Sequence, residues 1–78
     1  MSEVETVLFY ADFLLYVQNS INSYVLILIF GKEMGNHLIP KWNKCKDNVL
    51  LFLTQLDYHN RYELIKYMLR KYNNKELH

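Results

Sequence analysis

Trp42, Cys45, Val49, Phe52, Leu53 and Leu56 recur mostly at intervals of three or four residues. At about 100° per residue they fall within a stripe roughly 100° wide, which is the core face of an amphipathic helix. No other feature limits the fold as strongly, because such a face must be buried against a second element. Pro40 suits the first turn of this helix, where its missing N–H leaves no bond unmade.

The flanking segments carry helical signals of their own. Ser2 followed by Glu5 reads as a capping box, so a first helix begins near Glu3. Glu5, Asp12 and Asn19 are seven residues apart and form one polar line, while Val4, Val7, Ala11, Leu14 and Leu15 cover the other side. Leu8, Phe9 and Tyr16 flank the polar line directly, so the apolar arc is wider than one neighbouring helix can cover.

Residues 24–30 are an unbroken apolar run that periodicity alone does not assign. Val25, Ile27 and Ile29 argue for a strand, but only His37 to Ile39 could pair with it, and a lone hairpin is marginal in water. A helix over residues 20–34 is therefore preferred, ended by Gly35 and Asn36 or earlier by Gly31; it can also continue the first helix as one rod. Asp57 to Asn60 reads as a loop, and Asn60 with Glu63 as a capping pair opening a last helix. Leu64, Ile65, Met68, Leu69 and Tyr72 form its buried face, and Asn73 and Asn74 end it before a short polar tail. The expected fold is all-α: one domain over residues 1–78, a small bundle of three or four helices with short antiparallel connections, and dimeric.

Composition supports a folded chain, with 51% apolar and 15% aromatic residues, seven of them Tyr. A chain of 78 residues buries only about 60% of the surface it exposes when unfolded, so its stability is expected to be marginal. Its single cysteine, Cys45, permits no internal disulfide, which points to an intracellular, cytoplasmic location. Glu3 and Glu5 stand where a targeting peptide would carry Lys or Arg. Neither residues 7–17 nor 24–30 approach the ~20 residues of a bilayer span, so no membrane span is expected. The abundance of Asn, Lys, Ile, Tyr and Phe fits an AT-rich genome, such as that of a phage or plasmid of a low-GC bacterium.

Candidate catalytic groups are scattered. Cys45 lies on the apolar stripe, where a thiol behaves as a small hydrophobe; His37 and His59 fall in expected loops, and His78 is the last residue of the sequence. No pair of Cys or His has the spacing of a zinc site, and the two glycines, Gly31 and Gly35, lack phosphate-loop spacing. The expectation is a chain that is not an enzyme, with no catalytic or metal-binding residues, no cofactor and no small-molecule substrate.

Charge divides along the chain: residues 1–39 carry one Lys against four acids, net −3, and residues 40–78 carry eight cations against four acids, net +4. Lys41, Lys44, Lys46, Lys66, Arg70 and Lys71 could form a basic patch across the third and fourth helices, interrupted by Asp47, Asp57 and Glu63. A helix-turn-helix over residues 49–72 would lack both a recognition helix and the usual turn glycine. Large apolar residues also fall on polar faces. Leu51 projects among Lys44, Asp47 and Gln55, Tyr67 lies one turn from Arg70 and Lys71, where a cation can stack on it, and Phe9 and Tyr16 border the acidic line.

The residues match no family motif. The preferred reading is a small protein-binding regulator or inhibitor that acts through a helical surface. It would homodimerise through its first helix and bind a larger protein partner, with Phe9, Tyr16, Leu51 and Tyr67 as interface candidates. The alternative is a nucleic-acid-binding regulator using Lys41, Lys44, Lys66, Arg70 and Lys71. A membrane-surface role is disfavoured, because the polar line of the first helix is acidic and would repel anionic lipid.

Overall fold

The structure, a computed structural model, describes residues 2–76. It is all-α: α1 spans Glu3–Ser20, α2 Ser23–Phe30, α3 Lys32–Cys45, α4 Val49–Thr54 and α5 Tyr58–Glu76. The Ser2 hydroxyl accepts the Glu5 backbone N–H at 3.1 Å and donates to the Glu5 carboxylate at 3.1 Å, a variant of the expected box that starts α1 where the sequence places it. The first two helices are not one rod. They are separate elements bent by 102°, broken at Ile21 and at Asn22, whose side chain accepts the Val25 N–H at 2.9 Å and so opens α2. Among the described residues no single helix is long and apolar enough to cross a membrane.

Of the two ends the sequence offers for the second helix, the earlier one holds: Gly31, with φ of +88°, ends α2 and is the only residue between α2 and α3. Gly35 and Asn36 therefore lie inside α3. Gly35 is there because the α2 backbone needs the room: a Cβ at this position would stand 2.6 Å from the Ile27 Cα. Pro40 is likewise inside α3 rather than in its first turn; it leaves the Asn36 carbonyl without its usual donor, but both residues are exposed and solvent can serve that oxygen.

The helix expected from Pro40 to Leu56 is broken in two. Lys46 and Asp47 take left-handed backbone angles, with φ of 50° and 67°, and the Asn48 side chain caps α4 by accepting the Leu51 N–H at 3.0 Å. The stripe survives the break: Trp42, Cys45, Val49, Phe52 and Leu56 are all buried, Leu53 is half-buried, and the Trp42 and Phe52 rings meet edge to face at 5.1 Å. The last helix opens at Tyr58, capped by Asp57 rather than by Asn60, and it runs through Asn73 and Asn74 to Glu76. The end of the expected polar tail, with His78, lies outside the described residues. Arg61 reaches back from α5 past the end of α4, donating to the carbonyl of Leu53 at 3.1 Å, which also accepts the Leu56 N–H at 3.2 Å, and to that of Leu56 at 3.3 Å.

Leu64, Met68 and Tyr72 of α5 are buried with Phe13 and Val17 of α1 and Leu26 of α2 in one core, while Ile65 and Leu69 are half-buried at its edge. The whole is elongated, 40 × 25 × 21 Å, with a radius of gyration of 12.9 Å. A compact chain of this length would have a radius near 11.5 Å. The extra length leaves apolar surface that the core does not reach.

Candidate functional site

Helix α1 is apolar on two opposite sides, and only one of them is covered. On the covered side Phe13 and Val17 are buried and Phe9 and Tyr16 half-buried. The rings of Phe9, Phe13 and Tyr16 meet the Tyr72 ring edge to face, at 5.7, 5.7 and 5.5 Å. Such edge contacts set a ring's positive rim against another's negative face and add about 0.5 to 1.5 kcal/mol each beyond the area they bury.

The opposite side carries Val4, Val7, Leu8, Ala11 and Leu15, all exposed; Val4 is 67% and Leu15 57% accessible. Their spacing of three and four residues makes one straight stripe, with Glu5, Asp12 and Asn19 along one border and Glu3 and Tyr10 along the other. Val4, Val7, Ala11 and Leu15, which the sequence sets on the other side from the acidic line, lie open and Leu14 is half-buried, whereas Phe9 and Tyr16, expected as interface residues, lie on the side packed against the core.

The stripe does not stop at the end of α1. Beyond Ala11 it runs into an open groove of about 530 Å³, in which Leu14, Leu15 and Gln18 face Lys46, Asn48 and Leu50 of the α3–α4 turn and the start of α4. Leu50 is 61% exposed, so the apolar surface continues onto a second element. A further depression of about 310 Å³ lies at Glu3, Val4, Val7 and Leu8. Small-molecule sites enclose most of their ligand. This surface is a shallow trough along a helix, a shape that accepts another helix more readily than a metabolite.

The other interface candidates lie elsewhere. Leu51 is exposed on α4 next to Leu50. Tyr67 is half-buried against the core, with the Lys71 ammonium 5.5 Å from its ring centroid, the cation stacking expected from the sequence. Leu50, Tyr58 and Tyr62 are exposed residues that sequence reasoning missed; for Leu50 the signal was present in Asn48, an N-cap residue that resets the helical phase of the residues after it.

The basic candidates are divided between two helices. Lys41, half-buried, and Lys44, exposed, belong to α3; Lys66, Arg70 and Lys71 belong to α5. Lys66 lies 3.3 Å from the Glu63 carboxylate and 5.3 Å from the Tyr62 ring centroid, and Lys71 covers Tyr67, so two of the three basic candidates on α5 are already engaged within the chain. His37 and His59, expected in loops, are exposed on α3 and α5. Cys45 is buried on the stripe, and no group of three or more His, Cys, Asp or Glu among the described residues is placed to hold a metal ion.

No protein-family model, no curated protein and no solved structure matches this chain.

Proposed function

We propose that this chain is a small protein-binding regulator or inhibitor, and that its working surface is the outer face of α1 together with the groove at Leu50. One observation carries the reading: the exposed apolar stripe from Val4 to Leu15 is contiguous, continues across the groove to Leu50 and is bordered by polar residues. Single exposed hydrophobes are ordinary on any protein surface, whereas a continuous patch rimmed by polar groups marks a contact site. Binding would occlude a surface of the partner rather than transform it. The stripe supplies the buried centre, Ala11 its low point for a ridge from the partner, and Glu5 and Asp12 an acidic rim that selects orientation.

A photoreactive amino acid at Leu15, activated in the native host cell, is expected to give protein adducts, and the same group at Asn73 on α5 is expected to give none. Val7→Lys should abolish the Leu15 adduct. Equal labelling at both positions, or none at Leu15, would remove the outer face as the working surface. Nucleic-acid binding that weakens steeply with salt through counterion release would move the role to the Lys and Arg residues of α3 and α5.

A further inference from the structure

The turn between α3 and α4 concentrates backbone strain that the sequence around it does not call for. Lys46 and Asp47 are the only residues other than glycine with positive φ among the described residues, and they are consecutive. A side chain in this conformation crowds its own backbone, so glycine usually takes such positions; the short polar side chain of Asp bears it better than that of Lys. The turn is held by Asn48, whose side chain accepts the Leu51 N–H and whose own N–H reaches the Cys45 carbonyl at 3.0 Å.

Without the turn, the buried residues on either side of it stay in phase. Continued as one straight helix, Leu38, Trp42, Cys45, Val49, Phe52 and Leu56, all buried, fall within an arc of about 80°. A helix over residues 32–56 would therefore carry one unbroken core face. Within a single chain it would also undo the core. Trp42 and Phe52, whose rings meet at 5.1 Å across the turn, would stand about 15 Å apart along the straight axis. Seven of the thirteen buried core residues precede the turn and six follow it, so neither part can cover itself once they separate.

We infer that this turn is a hinge, and that two copies of the chain exchange residues 49–76 across straightened α3–α4 helices to form a domain-swapped dimer. The core itself fixes the occupant: the surface shaped to cover Leu38, Trp42 and Cys45 is the α4–α5 segment of this same sequence. Each core contact between the two parts is remade between chains, the Asn48 cap is given up, and the strain at Lys46 and Asp47 is released. A short hinge under strain favours such an exchange. Exchange passes through an opened core, so each form persists long enough to be separated by size. The turn is also one wall of the groove beside Leu14 and Leu15, and the two forms differ in the surface they present next to α1.

Refolding the full chain from denaturant at ~1 mM favours exchange by mass action, and size-exclusion chromatography should then resolve a fraction of twice the 9.5 kDa chain mass. Lys41 and Gln55 border one hollow in the closed chain, whereas on a straight helix they stand about 21 Å apart along the axis. In a Cys45→Ala background, Lys41→Cys with Gln55→Cys and a thiol cross-linker too short to span that distance reads the connection. The link is expected within one chain in the monomer fraction and between chains in the dimer fraction, so that only the latter keeps twice the mass in denaturant. Lys46→Gly should lower the dimerisation constant about tenfold, because glycine relieves the closed turn and weakens the straight helix, and each dimer straightens two turns. Asn48→Ala removes the cap from the closed form and should raise that constant about tenfold. A dimer fraction linked only within its chains has closed turns and would overturn the exchange. Equal dimerisation of Lys46→Gly and Asn48→Ala would overturn the hinge, as would a chain that stays monomeric after concentrated refolding in the wild type and in Asn48→Ala alike.

Discussion

The two sides of α1 are both apolar and differ wholly in fate. Phe9, Phe13 and Tyr16 close around Tyr72 of α5, with Val17 buried beside them; Val4, Val7, Leu8 and Leu15, centred nearly half a turn away, remain open. Neither side is made apolar by chance of one residue, and helical periodicity alone ranks neither above the other. What separates them is aromatic content and the supply of neighbours. The aromatic side can interlock its rings with Tyr72 and gains more per contact, while the aliphatic side finds no further helix in so short a chain. Apolar surface that the described helices leave uncovered is the physical basis of the proposed binding role.

Substitutions on the two sides should separate them sharply. Phe13→Ala, on the covered side, and Trp42→Ala, on the stripe that faces it across the core, each leave a cavity and are expected to cost about 3 to 5 kcal/mol, enough to unfold a marginal domain. Chemical denaturation followed by circular dichroism reads this directly; melting like the wild type would mean that the ring cluster around Tyr72, or the Trp42–Phe52 contact, does not form. The next effect probes the tightest packing in the molecule. Gly35→Ala gains helix propensity but sets a Cβ against the α2 backbone at 2.6 Å, so it should destabilise by about 1 to 3 kcal/mol. A stabilised Gly35→Ala would show that α2 and α3 stand further apart.

Asp57→Ala removes the carboxylate that accepts the Asn60 N–H at 2.8 Å and should cost about 1 kcal/mol, with fraying confined to the start of α5. Hydrogen exchange at Asn60 and Arg61 would locate the loss; unchanged protection there would restore Asn60 as the cap. The smallest effect sharpens the comparison most. Val7→Lys or Leu15→Lys, on the open side, should change the stability of the dilute chain by no more than about 0.5 kcal/mol. A loss as large as that of Phe13→Ala at every dilution would mean that the outer face is packed within one chain.

The class of fold was legible from short-range signals. The Ser2–Glu5 pair starts α1, and the stripe from Trp42 to Leu56 identifies its core residues correctly even though the helix carrying it is two helices. The breaks themselves obey a signal the sequence does contain, the Asn or Asp that accepts a backbone N–H three residues on: Asn22, Asn48 and Asp57 each open a helix in this way. The candidate site was half legible. That α1 is apolar over too wide an arc can be read by counting residues; Phe9 and Tyr16 nevertheless belong to the chain's own core, and the open stripe is the aliphatic one.

By itself, then, the sequence determined what depends on neighbours three and four residues apart: helix formation, capping, the core stripe of the second half and an excess of apolar surface on the first helix. Only the tertiary structure decided matters that depend on distant residues. Gly35 sits inside α3 because the approach of Ile27 leaves room for no side chain there. The rotation of α1 about its axis was set by Tyr72, more than fifty residues away, since a helix with two apolar faces carries no local preference between them and turns to whichever its partner can fill.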